Sequence, residues 1–416
     1  MVRRYRAGLL SRVVVMGGGI RPVGVAERRA RLAARHHLAP RAAAVPDPVV
    51  RPVVSTVADI IGLHGTDPAS VYLSAWARTG AGHADIEHAL YAERTLIRML
   101  GMRRTVFVVP VALVPVIQAA CTDQIAERMR RDLARRVEES GIAADGANWL
   151  KEAGEATVQA LAVRGSATGG ELAQDEPRLR AQIVYAADKS YGGPVNVTTR
   201  LLTLLSAEGL IVRGRPRGGW TSSQFTWAVA PDQPRPDAAA ARAELARRWL
   251  HGFGPAPRAD LQWWTGWTAG QVKQALDQLE IAEVDLDGTP GIMLAADEDA
   301  PPDAGPWAAL LPALDPTAMG WRDRAWYVGE HAPALFDRSG NIGPTAWWEG
   351  RIVGGWAHRK DGEIAVRLLE DAGGEAAAAI AAEAQRLRDW IGADERHAKT
   401  LITPRFRTPL ERELAG

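Results

Sequence analysis

Residues 196–229 read NVTTRLLTLLSAEGLIVRGRPRGGWTSSQFTWAV. Asn196 or Thr198 caps a predicted helix from Thr199 to Glu208, and Gly209 ends it. A strand from Leu210 to Arg213 follows, then the cationic tip Arg215-Pro216-Arg217-Gly218-Gly219, then a strand from Gln224 to Val229. Upstream, Glu155 to Arg164 reads as a helix, and Thr168 and Glu171 stand at capping-box spacing to open another. Helix, helix, helix and β-hairpin is the order of a winged helix. Arg200 opens the recognition helix, and Arg213, Arg215 and Arg217 decorate the wing, where guanidinium groups pair with phosphates or enter a minor groove. A solvated hairpin on a protein-binding winged helix is the plainer alternative.

The same plan repeats on either side. Before it, helices are predicted at Ala26 to His37, Ser55 to Leu63, Ala69 to Arg78 and His83 to Tyr91, followed by a strand from Arg104 to Val109. After it come helices at Ala238 to Gly252, Pro257 to Thr265 and Ala269 to Leu279, then strands Ile281 to Leu286 and Gly291 to Ala295. That last wing is acidic, so packing suits it better than DNA contact. Beyond Pro306 short apolar and aromatic runs alternate with Asp-Gly and Gly turns, closed by a helix from Glu375 to Ile391. The expected fold class is α+β: three tandem winged-helix units followed by a small C-terminal β-barrel or curled sheet. The boundaries read as a leader at 1–24, disordered or a misassigned start; unit 1 with a long helix at 25–150; unit 2 at 151–236; unit 3 at 237–305; the barrel with its closing helix at 306–392; and a loose tail at 393–416.

The net charge of +1 over 416 residues hides an asymmetry. Residues 1–230 hold 30 Lys and Arg against 20 Asp and Glu, and residues 231–416 hold 20 against 29. A basic half facing a polyanion, with an acidic half held away, follows naturally. Of 50 cationic residues only five are Lys, and none (Lys151, Lys189, Lys273, Lys360, Lys399) has the setting of an amine nucleophile. The lone Cys121 excludes a disulfide framework and a thiolate zinc cage, which makes a reducing cytoplasm the default. The apolar run from Thr105 to Cys121 contains Pro110 and Pro115 and is too short to span a bilayer. Arg3-Arg4 mimics a twin-arginine signal and Gly17-Gly18-Gly19 a dinucleotide loop, but Arg12 and Pro22 spoil the two patterns. His83, Asp85, Glu87 and His88 look metal-like yet span different helix faces. Trp263, Trp264 and Trp267 read as core and hinge packing. No metal and no cofactor is expected, and no heptad helix suggests a dimer.

Several stretches resemble the AlkZ-like winged-helix DNA glycosylases. They are VAERRARLA at 25–33, GLHGTDP at 62–68, AERTL at 92–96, MRRT at 102–105, WWTG at 263–266, LPALD at 311–315 and RDR at 322–324. The resemblance runs in order over roughly residues 25–392. It implies three winged helices and a β-barrel around a DNA-binding concavity, and hydrolysis of the N-glycosidic bond of alkylated, N7-adducted purines or crosslinks in duplex DNA. It departs at His64-Gly65-Thr66, where characterised members of the family carry Gln-x-Gln or Gln-x-Asp.

By that placement His64, Thr66 and Asp67 are the candidate catalytic residues. A cationic N7-alkylpurine is already a good leaving group, so the site needs a poised water and a stabilised sugar cation. His64 could orient or deprotonate the water, Thr66 could hold it, and Asp67 could steady the sugar or accept a proton. Each has a plainer role as well: Asp67 before Pro68 is a good N-cap, His64 a satisfied histidine, Thr66 a local backbone partner. Arg94, Arg103, Arg104, Arg200, Arg213, Arg215 and Arg217 are the candidate DNA contacts. Asp315, Arg322 and Arg324 form a lower-ranked pocket for the damaged base, or a turn and ion-pair network. Two readings stay open: a monomeric, monofunctional DNA glycosylase of the cytoplasm and nucleoid, or a catalytically silent winged-helix protein that senses damage or regulates transcription.

Overall fold

The computed structural model describes residues 20–39, 53–185, 193–301, 304–393 and 400–416. The leader's first nineteen residues, Lys189 and Lys399 lie outside them. Among the described residues no helix is long and apolar enough to cross a membrane. The apolar run after Thr105 becomes strand Val106–Pro110 and a succession of short helical turns up to Thr122.

In the middle of the chain, local capping chemistry sets the helices. The Asp145 side chain accepts the Asn148 N–H at the start of helix Gly146–Arg164. Thr168 and Glu171 form their reciprocal box at the head of Gly169–Asp175. Helix Val197–Ala207 leads to the hairpin Ile211–Pro216 with Phe225–Val229, whose register is irregular between Arg213 and Pro216. A small two-stranded sheet, Gln182–Tyr185 with Gly193–Asn196, precedes that helix and has no counterpart in the sequence reading. Leu161, Leu172, Leu201, Leu205, Ile211 and Trp227 bury one another in a core of their own. Leu133 and Val137, from helix Asp123–Glu139, complete it. Truncating one such leucine to alanine costs roughly 2–5 kcal/mol.

The remaining units share a single larger core. Helices Val53–Asp59, Pro68–Thr79 and His83–Glu87 lie with a three-stranded antiparallel sheet in the order Leu63–His64, Val106–Pro110, Leu96–Leu100. Only the middle strand was predicted. Leu96–Leu100 is buried at every position, so it shows no alternation of polar and apolar residues. Further on, Ala238–Phe253, Arg258–Thr265 and Ala269–Leu276 precede the hairpin Ile281–Leu286 with Thr289–Leu294.

Three expectations need correction. The leader does not end at residue 24: Arg21–Pro22 forms a parallel strand beside Ile281–Leu286, and Val23 is fully buried. The open edge of that hairpin supplies the backbone partners that draw it in. The C-terminal strands form neither barrel nor curled sheet. Ala308–Leu311, Thr345–Trp348, Arg351–His358 and Ile364–Leu368 make an open antiparallel sheet in that order. Four strands are too few to enclose a core, and helix Gly374–Gly392 covers the sheet instead through Ala376, Ile380 and Leu387. The tail is not loose throughout, because Pro409–Ala415 is a helix whose Leu410 is buried against the sheet.

Candidate functional site

The segment from Gly62 to Pro68 crosses the first sheet as a short edge strand and turns into a helix. Leu63 and His64 pair with Val108 and Phe107, and the Gly65 N–H donates to the Val106 carbonyl at 2.7 Å. Gly65 packs tightly: a Cβ there would lie 3.1 Å from Arg98 Nη1 and 3.2 Å from the Phe107 carbonyl carbon, so both would have to give by a few tenths of an ångström. Arg98 reaches under the turn from strand Leu96–Leu100, and its Nη1 donates to the Gly65 carbonyl.

His64 is buried beside Phe107, ring centroids 5.7 Å apart. Burial, then the charges of Arg103 and Arg98, push its pKa down to about 4, with Asp315 opposing. At neutral pH the imidazole is therefore uncharged. Its Nδ1 faces the Thr66 N–H across a long 3.5 Å contact. Placing the acceptor lone pair on Nδ1 leaves the proton on Nε2, so His64 presents an N–H donor much as a side-chain amide would. Thr66 is half-buried. Asp67 occupies the N-cap position of Pro68–Thr79 but makes no capping hydrogen bond; the Ser70 hydroxyl donates to its carboxylate at 3.1 Å. Burial raises its pKa, opposed by the Ser70 hydroxyl, then by the backbone N–H groups of Ala69 and Arg405, and last by the charge of Arg98.

Six of the seven expected cations divide between two clefts. Arg94, Arg213 and Arg215 line one of about 170 Å³ with Tyr91 and Thr226. Arg215 is ion-paired to Glu87, and Arg217 to Glu171 at 2.5 Å. Arg213 lies against Phe225 and Trp227, its pKa lowered to about 10 by burial and by Arg98 and Arg405. Arg103, Arg104 and Arg200 line the other cleft, of about 340 Å³, with Gln124, Arg128 and Arg136. Arg103 packs over the Trp263 indole, 3.8 Å from its centroid.

The lower-ranked trio does not converge. Asp315 is fully buried, and Arg78 holds both its oxygens at 2.9 and 2.7 Å while Ser74 donates at 2.7 Å. Burial alone would raise its pKa, but Arg78 and those hydrogen bonds hold it below the usual carboxylate value. A carboxylate so occupied ties helix Pro68–Thr79 to the C-terminal region and has little left for a base edge. Arg322 is exposed. Arg324 lies against Trp263 and Phe336, and its Nε donates to the Trp321 carbonyl at 2.8 Å.

Two residues of this region escaped the sequence reading. Arg98 is 4% exposed, and the one signal for it is a charge inside the apolar run LIRML. Trp263 was placed with the core tryptophans. Trp264 and Trp267 are indeed buried, but Trp263 is half-buried beneath two guanidinium groups. Among the described residues no group of three or more His, Cys, Asp or Glu could hold a metal.

This mixed α+β fold, with a buried polar turn and two arginine-lined clefts, superposes on a solved structure, the Streptomyces sahachiroi DNA glycosylase AlkZ. The TM-score is 0.67 at 18% identity, covering 89% of this chain and 97% of that one, so the likeness is one of fold. No curated relative matches the sequence at a significant level. The family model described as DNA glycosylase AlkZ-like matches residues 57–390, and the chain belongs to that family.

Proposed function

We propose that this protein is a monofunctional DNA glycosylase that hydrolyses the N-glycosidic bond of N7-alkylated purines in duplex DNA. The helix-and-hairpin units serve in this reading as three winged helices that carry the duplex, and membership of a DNA glycosylase family supports DNA as the substrate. The observation that carries it is the neutral His64. A buried, uncharged donor stands where the resembling enzymes have glutamine, so the substitution keeps the hydrogen-bonding role and adds no charge at pH 7.

In the reaction, water oxygen bonds to C1′ as the C1′–N9 bond breaks, and the bonding pair leaves with the already cationic base, which departs neutral. His64 orients the water through its N–H, and Thr66 shares that task through its hydroxyl. Asp67, whose burial strengthens its hold on a proton, steadies the positive sugar and takes the proton that the water releases. No lysine takes part in this reading, and no Schiff base forms.

Incubation with duplex bearing N7-methylguanine and a bulkier N7 adduct tests this reading, with free modified base as the readout. Release by the wild type that is lost in Asp67→Asn and His64→Ala supports it. Tight binding without release of either lesion overturns it in favour of a silent damage-binding protein. Release that survives both substitutions relocates the site.

A further inference from the structure

The hairpin joining Leu96–Leu100 to Val106–Pro110 closes in an unusual way. Gly101 donates to the Thr105 carbonyl at 2.8 Å, and Thr105 to the Met102 carbonyl at 3.0 Å. The two residues between, Arg103 and Arg104, have φ of 51° and 59°. Such a turn ordinarily takes Asn-Gly or Gly-Gly, because left-handed backbone crowds a Cβ. Two arginines held there are strained, and non-glycine strain of this kind concentrates at functional positions. The turn aims Arg103 at Trp263. Gly266, itself left-handed at φ 75°, lets the Thr265-Gly266-Trp267 segment come close, since a Cβ on it would meet Arg103 Cγ at 3.2 Å.

Arg324 reaches the same indole from the C-terminal part of the chain, its guanidinium carbon 5.0 Å from the centroid. Two cations therefore share one half-buried tryptophan. Among the described residues neither makes an ion pair with a carboxylate, whereas Arg215 and Arg217 both do. Among the described residues the charge that bears on Arg103 is that of Arg324, and it is repulsive. Partly buried guanidinium groups that repel each other lack an anion between them.

We propose that Arg103 and Arg324, held against Trp263, form a clamp for one backbone phosphate of the DNA strand that carries the damaged nucleotide, next to His64. The planar forks suit a phosphodiester's two free oxygens, and the indole fixes the pair so that little freedom is lost on binding. Arg104, exposed at the same tip, serves the neighbouring phosphate. This assignment rests on the duplex-DNA reading above, and it removes Arg324 from contact with the base.

Binding, and not base release, is the test, so that the two ideas fail separately. The probe is a duplex with a tetrahydrofuran abasic analogue, carrying a single uncharged methylphosphonate moved step by step through the two or three positions either side of it. One position is expected to weaken wild-type binding by about tenfold or more, the worth of one charge-assisted contact. In Arg103→Gln/Arg324→Gln the same position should cost nothing further, and the salt slope should fall by about 0.9. Arg324→Lys, which keeps the charge and the local packing, should restore the slope but only part of the affinity. Wild-type sensitivity to the methylphosphonate persisting in the double variant overturns the clamp and leaves the functional reading intact. Failure of the wild type to bind any duplex overturns both.

Discussion

The two arginine-bearing hairpins differ in how their charges are spent. On the wing Ile211–Pro216 with Phe225–Val229, the sequence advertises Arg215 and Arg217 beside three glycines, yet both are paired to Glu87 and Glu171. On the tighter hairpin before it, Arg103 and Arg104 make no such pair among the described residues, and their backbone is held where arginine rarely goes. Exposed ion pairs are worth about 0–1 kcal/mol, so DNA can break those of the wing cheaply. It then gains little that the protein did not already have. Charge available to a phosphate depends on the partners already present, and a count along the chain does not register them.

Arg98 braces the turn at Gly65 from one side while its guanidinium lies over Phe225 of the wing, 4.7 Å from the ring centroid. Replacing it by methionine should have the largest effect and dissociate activity from stability. Base release should fall on the order of a hundredfold, because the turn loses its hydrogen bond to the Gly65 carbonyl. Thermal stability should fall by no more than about 1–3 kcal/mol, since relief of the buried guanidinium's desolvation offsets the cost of leaving the Gly65 carbonyl unpaired. A loss of stability beyond that would mean that Arg98 holds the fold and not the site.

Next in size, Arg103-Arg104 replaced by Asn-Gly should stabilise the protein by about 1 kcal/mol, since the new residues suit left-handed backbone. Duplex affinity should drop about tenfold or more. Calorimetry and a binding titration on one preparation read both numbers. An affinity that stays level would show that this turn and the wing are equivalent after all.

His64→Gln should keep release within about tenfold of wild type, because a neutral amide replaces a neutral imidazole. Its stability should also respond differently to acid. His64 and His36 have folded pKa values of about 4 and about 3, below the ordinary 6.5, so the unfolded chain binds their protons more readily. Their neutral forms favour folding above pH 6.5, and that stability drains away as the pH falls toward 4 and 3. Urea midpoints across this window should slope less steeply in His64→Gln than in wild type. The smallest effect belongs to Arg215→Ala with Arg217→Ala: about threefold weaker binding at low salt, with a change in salt slope below that of the Arg103 and Arg324 pair.

Legibility followed the range of the interactions. The box at Thr168 is local and forms where its spacing indicated, and a second forms at Thr268 with Gln271. His64, Thr66 and Asp67 do stand on one turn, because they are contiguous. Leu63–His64 is too short to carry a pattern, and it is a strand only because Phe107 and Val108 offer it an edge. Arg98 and Trp263 acquire their surroundings from segments far away in the chain, so no window around either could reveal them. The barrel failed for a related reason: alternation announces strands, but whether the first meets the last depends on what covers them, here Gly374–Gly392.

The missing side chain at Gly65 also couples two distant positions. A methyl group there would ask Arg98 and the Phe107 backbone to give way by a few tenths of an ångström, so a larger residue at 65 presses on a residue thirty-three places away. Among relatives, glycine at the centre of the motif should therefore travel with arginine at that place in the second strand, a linkage visible as paired inheritance before any enzyme is assayed.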